Sequence, residues 1–193
     1  MYEAIDSKYT YKGTDILKNK LNIMDEDLLK EYQTKVVAFK LSTINYIKMD
    51  NNFDENKLRF IHKYLFDEVY YFAGEYRQEN ITKGNFRFSE YIYIEENLKK
   101  IMREINIDEL KKLPFDEYVT RISYFMTELN VLHPFREGNG RTIREFIREL
   151  CSECGYVINW SEVDYDDILK ASIEAILDET MQIELLRNSI RIK

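Results

Sequence analysis

Glycine and proline are scarce, six and two in 193 residues. A chain so short of turn residues does not make the many tight turns of a strand-rich sandwich, which favours helices. Only two cysteines occur, Cys151 and Cys154. A four-cysteine zinc site needs a second pair, and the two histidines, His62 and His133, are too few and too separate to complete a mixed site. The plain reading of the C-x-x-C spacing is two thiols on one face of a buried helix, which suits a reducing cytosol. No apolar run approaches the roughly 20 residues of a membrane span. The opening segment MYEAIDSKYTYKG has no signal-peptide core, so a cytoplasmic protein without a membrane association is expected. Positive charge is also in deficit: 28 Lys and Arg against 35 Asp and Glu give a net charge of −7. This argues against a non-specific nucleic-acid binder, while leaving local basic clusters able to hold a small anion.

What is present is an ordinary globular mixture, 45% hydrophobic and 33% charged, with aromatics at 14% and fifteen tyrosines. One domain over residues 1–193 is expected, with its core at about 54–190 and an N-terminal arm and helix at 1–50. Residues 1–23 read as irregular or partly extended. A helix is expected from Asp25 to Ile47, with Leu28, Leu29, Tyr32, Val36, Phe39 and Thr43 as its apolar face. Asp54 caps a second helix whose stripe, Leu58, Ile61, Leu65, Val69 and Phe72, ends near Gly74. Lys83-Gly84-Asn85 is a turn flanked by alternating Phe86 and Phe88, which predicts one short hairpin in a helical chain. Such a hairpin is marginal alone, so it leans on helices and keeps a free edge. Further helices are expected at Glu90–Ile105, at Phe115–Leu132 and over Asp164–Ser189. The fold class is all-α with a small β-hairpin.

Most information sits between His133 and Arg144, in HPFREGNGRTIR. Gly138 and Gly140 bracket Asn139, and all three tolerate positive φ. Such a turn aims successive backbone N–H groups into one concavity. The residues that follow are strongly helical, so this concavity lies at a helix N-terminus, where free N–H groups and the helix dipole attract phosphate. On that helix Ile143, Phe146, Ile147 and Leu150 face the core. Arg141, Arg144 and Arg148 lie on another side, and arginine forks onto phosphate oxygens. Glu137 offers the single oxygen ligand that Mg²⁺ takes beside a polyphosphate. His133, at the end of the preceding helix, is placed to take a proton from an incoming hydroxyl. Each residue alone has a bland reading: a structural histidine, an ordinary turn, a solvated arginine face, a weak surface pair. Their concentration in one turn favours displacement at a nucleotide phosphorus.

The segment resembles the signature of the Fic (filamentation induced by cAMP) family, H-x-F-x-[D/E]-G-N-G-R-x-x-R, at every defined position. The resemblance extends to Tyr11–Asp15, Leu17–Leu21, Phe72–Arg77 and Ile81–Phe88, and so to about residues 9–190. It implies an all-α Fic fold and a bacterial protein adenylyltransferase, which moves AMP from ATP to a Tyr, Thr or Ser hydroxyl of a target protein. It further implies His133 as base, Phe135 packed inward, and Glu137 on Mg²⁺. The implied ATP-binding set is Lys83, Asn130, Gly138, Asn139, Gly140, Arg141, Thr142 and Arg144. The hairpin would be a flap, with Ile81, Thr82, Lys83, Gly84, Asn85 and Phe86 aligning the target by β-augmentation.

Many family members carry an inhibitory helix with [S/T]-x-x-x-E-[G/N], whose glutamate pairs with the second motif arginine, here Arg144. The near match is Thr180 to Glu184, followed by Leu185 in place of Gly or Asn. Three sources of inhibition therefore stay open: a small antitoxin partner that supplies the helix, which is the favoured one, Glu184 itself, or a helix outside this sequence. Two alternatives stay open: transfer of a phosphoryl or other phosphate-containing group on the same scaffold, and a non-catalytic nucleotide-binding regulator. Oligomeric state is open as well.

Overall fold

The computed structural model describes residues 7–47 and 49–193. Among them the order is α1 (Glu26–Thr43), α2 (Glu55–Phe66), β1 (Thr82–Lys83), β2 (Phe86–Arg87), α3 (Ile94–Arg103), α4 (Ile107–Leu110), α5 (Phe115–Leu132), α6 (Asn139–Glu153), β3 (Tyr156–Ile158), α7 (Tyr165–Glu174), α8 (Thr180–Ser189) and β4 (Ile190–Ile192). The mostly helical fold with its small flap hairpin is as expected.

The stripe from Phe115 to Leu132 forms α5, with the boundaries its periodicity gave. Of its apolar stripe, Val119, Ile122, Met126, Leu129 and Leu132 are buried and only Phe115, in the first turn, is exposed. Apolar residues on several sides of α5 let it pack against α3, α6 and α8 at once. α6 buries Ile143, Phe146, Ile147 and Leu150 and lies against α2 and α5. Leucine-sized side chains this enclosed typically contribute ~2–5 kcal/mol each against truncation to alanine. The turn between α5 and α6 is therefore clamped by two of the best-buried helices of the chain.

Several expectations need correction. α1 stops at Thr43 and a 3₁₀ turn, Ile44–Tyr46, follows it. Its buried face is Leu29, Gln33 and Val37, while Leu28 and Phe39 are 52% and 66% exposed. The face is displaced because a polar residue, Gln33, is buried by its hydrogen bonds and breaks the apolar reading. Asp54 caps α2 as expected, its Oδ1 accepting from Asn56 N at 2.9 Å and Lys57 N at 3.0 Å. However, α2 ends at Phe66, eight residues before Gly74. Val69 and Phe72 remain buried on reverse turns, so burial continued the stripe after the helix had stopped. A 3₁₀ turn, Tyr91–Tyr93, replaces the expected start of α3. The last helical region is two helices, α7 and α8, broken between Ala175 and Glu179.

The hairpin does not stand alone. β3 and β4 form a second antiparallel pair, with Tyr156 opposite Ile192 and Ile158 opposite Ile190. Strands of three residues are too short for a period to register, and their pairing joins the end of the chain to the end of α6. Residues 7–23 are partly extended, with one antiparallel bridge between Thr10 and Leu17; the rest of the 1–23 expectation, residues 1–6, lies outside the described residues. The two thiols are unpaired and buried, Cys151 in α6 and Cys154 at its C-cap. Among the described residues no helix is long and apolar enough to cross a membrane.

Candidate active site

His133 ends α5 in the left-handed conformation, φ 49° and ψ 63°, which turns the chain sharply out of the helix. Its Nδ1 lies 3.0 Å from the Asn130 carbonyl. A carbonyl only accepts, so Nδ1 carries the proton and Nε2 the lone pair. The ring stacks on Phe88, just beyond the hairpin, at 3.9 Å. Burial, helped by the positive charges of Arg77 and Lys83, pushes His133 down to about 3. The imidazole is thus neutral at physiological pH, with Lys83 near enough to act on it electrostatically. Asn130 meets His133 through its backbone carbonyl.

The turn that follows is fixed from within. Phe135 is fully buried, and Asn139 closes a small ring on its backbone: Oδ1 accepts from Phe135 N at 2.8 Å and Nδ2 donates to Phe135 O at 2.7 Å. Thr142 donates its hydroxyl to Gly138 O at 3.0 Å and is itself fully buried. Neither side chain faces outward, so both shape the loop from within. Gly138 has φ +79°, and a Cβ there would overlap the Phe66 ring. Only glycine meets both demands. No side chain caps the N-terminus of α6 and no acidic residue lies in its first turn, so no side-chain acceptor or carboxylate offsets its donors and dipole there.

Two arginines border that N-terminus. Arg141 lies over the Phe66 ring at 4.9 Å and pairs with Glu137 at 3.3 Å. With the Gln33 amide oriented to satisfy both of its ends, its nitrogen donates to Tyr70 Oη and its oxygen accepts from Arg141 Nη1 at 2.9 Å. Arg144 curls back over the first turn, where a Cβ on Gly140 would lie 3.3 Å from its Nη1. Trp160 Nε1 donates to the Arg144 carbonyl at 2.9 Å. Arg148 is drawn away by Glu145, Glu149 and Asn45. Glu137 is about a quarter exposed at the same mouth, at 26%.

The hairpin pairs Thr82 with Arg87 and Lys83 with Phe86, turning through Gly84 and Asn85. Ile81 is fully buried as its anchor, whereas Lys83, Gly84 and Asn85 are exposed. Among the described residues no third strand joins it, so its edges remain open. His133, the loop of Glu137–Gly140, Arg141, Arg144 and the hairpin are therefore brought to one place.

Sequence reasoning missed the residues that hold this place together. Arg77 is 1% exposed and donates to four backbone carbonyls: His133 at 2.8 Å, Leu132 at 3.2 Å, Glu79 at 2.8 Å, and Ser89. It ties both feet of the hairpin to the end of α5 at His133. Arg136 pairs with Glu79 at 2.7 Å, both largely buried. His62 on α2 accepts from Gly74 N at 2.7 Å and contacts the Glu137 carbonyl at 2.9 Å. Arg77 lay in the Phe72–Arg77 segment of the resemblance without a role, and His62 fell inside an apolar stripe, where a histidine attracts no notice.

A sequence profile of the Fic/DOC family matches residues 52–151, and the chain belongs to this family. It is 31% identical over 176 residues to "Probable protein adenylyltransferase y4lH" of Sinorhizobium fredii, with 90% of each chain covered. It is 37% identical over 175 residues to protein adenylyltransferase VbhT of Bartonella schoenbuchensis, covering 90% of this chain but only 37% of VbhT. The chain thus spans little more than a third of that relative. Among solved structures, BepC of Bartonella tribocorum with bound AMPPNP superposes with a TM-score of 0.86 at 27% identity, covering 96% of this chain and 97% of that one. The N-terminal Fic domain of a VirB-translocated Bep effector from Bartonella quintana with bound ADP also reaches 0.86 at 27% identity, covering 96% and 95%.

Proposed function

We infer that this chain is a protein adenylyltransferase, moving AMP from ATP to a side-chain hydroxyl of a target protein. The observation that carries the reading is the tautomer of His133: Nδ1–H bound to Asn130 O at 3.0 Å leaves a neutral Nε2 lone pair beside an uncapped, glycine-built helix N-terminus. Polyphosphate lies on the N–H groups of Gly138–Gly140, with Arg141 and Arg144 on its outer phosphates. The acceptor hydroxyl, on Tyr, Thr or Ser, gives its proton to Nε2 as its oxygen attacks the α-phosphorus; pyrophosphate leaves. A bound polyanion raises the basicity of His133 from its depressed resting value, so the base strengthens when substrate is in place. The relatives named as adenylyltransferases and the nucleotides bound in similar structures support adenylyl transfer from a bound nucleotide.

Mg²⁺ fits this donor set. Glu137 supplies one half-buried carboxylate oxygen, and among the described residues no cluster of three or more His, Cys, Asp or Glu is gathered. That is the arrangement of an ion held largely by substrate phosphates and water. When bound it neutralises phosphate charge. Freed from Arg141, Glu137 would turn to it.

The hairpin, Ile81–Phe86, aligns the target backbone by strand addition. Inhibition comes from a separate small antitoxin. Supporting this, α8 packs on α5 and α7 with Glu184 exposed, whereas the neighbours of Arg144 are Gly140, Trp160 and Tyr165.

The test is a lysate incubated with the protein, Mg²⁺ and ATP labelled at either the α- or γ-phosphorus, beside His133→Ala. Protein bands labelled only from the α-position, and absent with the variant, are expected. Label only from the γ-position would replace this reading by phosphoryl transfer.

A further inference from the structure

We infer that His62 is a positioning residue of the nucleotide loop, holding the Glu137–Gly138 peptide so that the Gly138 N–H faces the ligand. This rests on the loop being the nucleotide site. His62 lies 75 positions before Glu137, outside the signature, and is fully buried.

Its protonation pattern follows from its partners. The Gly74 N–H, at 2.7 Å, can only donate, so Nδ1 is bare. The single proton of a neutral imidazole is then on Nε2, which donates to the Glu137 carbonyl at 2.9 Å. Burial keeps the ring neutral.

The consequence is geometric. In a trans peptide the C=O and the following N–H point in opposite directions. A Glu137 carbonyl drawn back onto α2 therefore sends the Gly138 N–H forward, towards the mouth of the turn. The same ring stacks on Phe135 at 3.8 Å and 9°, and Phe66, one helical turn further along α2, fills the space under Gly138. Two residues of α2 thus grip Phe135, Glu137 and Gly138 together. Without the Nε2 donor this peptide is free to rotate, turning one nest donor inward and moving the Glu137 side chain with it.

The test compares His62→Phe, which keeps an aromatic ring and loses both hydrogen bonds, with His62→Gln, whose amide supplies one donor and one acceptor. Binding of a non-hydrolysable ATP analogue with Mg²⁺ is measured by calorimetry, and the fold by circular dichroism. The Phe variant is expected to bind about tenfold or more weakly, and the Gln variant within about threefold of wild type. Equal affinity for wild type and a folded Phe variant overturns the inference, as does a folded Gln variant as weak as Phe. Long-range ¹H–¹⁵N spectra of the wild type decide independently of the variants: His62 is expected as the Nε2–H tautomer, with resonances that shift on binding. A proton on Nδ1, or no shift, overturns the role. A wild type that binds no nucleotide at all overturns the adenylyl-transfer reading itself, a result distinct from the others.

Discussion

Both histidines are buried neutral, and this makes the fold sensitive to mild acid in a way that can be worked out. The unfolded value is 6.5 for each, and burial lowers His62 and His133 to about 3 in the folded chain. Above the unfolded value neither state holds the proton, and there is no effect. Below it the unfolded chain takes up two protons that the folded chain refuses. Stability therefore falls with pH, by about 1.4 kcal/mol per pH unit for each histidine, until the folded value is reached. From pH 7 to pH 5 the loss is about 2 kcal/mol per histidine and about 4 kcal/mol together. That is a large part of the ~5–15 kcal/mol holding a typical domain. Urea unfolding of the metal-free protein at pH 7 and pH 5 reads this directly. Carboxylates held low by exposed partners, such as Glu31 and Glu95, begin to protonate only further down. Glu145, raised by burial, works in the opposite sense, so the variants provide the control. His62→Gln and His133→Gln should each remove about half of the loss, and the double variant most of it. A wild type equally stable at both pH values, or a double variant with undiminished loss, would refute the reasoning.

Gly138→Ala forces a left-handed backbone on alanine and drives its methyl into Phe66, so a loss of about 2 kcal/mol or more in thermal unfolding and a collapse of nucleotide affinity are expected. Arg77→Met leaves four carbonyls without their charged donor; amide exchange over residues 79–89 should accelerate at least about tenfold, and unchanged exchange would show that the hairpin is anchored otherwise. Burial raises the Cys151 and Cys154 thiols to about 12 and about 11, so neither should react with a thiol reagent at pH 8 until the protein is unfolded.

The legible parts of this molecule were those written in local spacing. The stripe of α5 repeats over 18 residues, long enough for a period to define both ends. Likewise, Lys83-Gly84-Asn85 marked its hairpin because a two-residue turn has its own residue chemistry. The site was legible for a related reason: His133 through Arg144 form one continuous turn, so spacing and space coincide. What failed to show was everything that reaches across the chain. Gln33 spoiled the apparent face of α1 because its bonds to Tyr70 and Arg141 bury a polar group that composition would expose. β3 and β4 escaped because neither has a pattern until the other is beside it. Arg77 carried no role within the resemblance and His62 sat inside an apolar stripe, yet both are almost wholly buried, and their partners are main-chain groups. A carbonyl is present at every position and so leaves no residue-type mark. It follows that substitutions at these unmarked donors should reveal the site more sharply than substitutions among the tyrosines and leucines around them. A lost apolar contact lowers stability everywhere at once, whereas a lost donor at Arg77 or His62 releases one particular peptide of the loop or the flap.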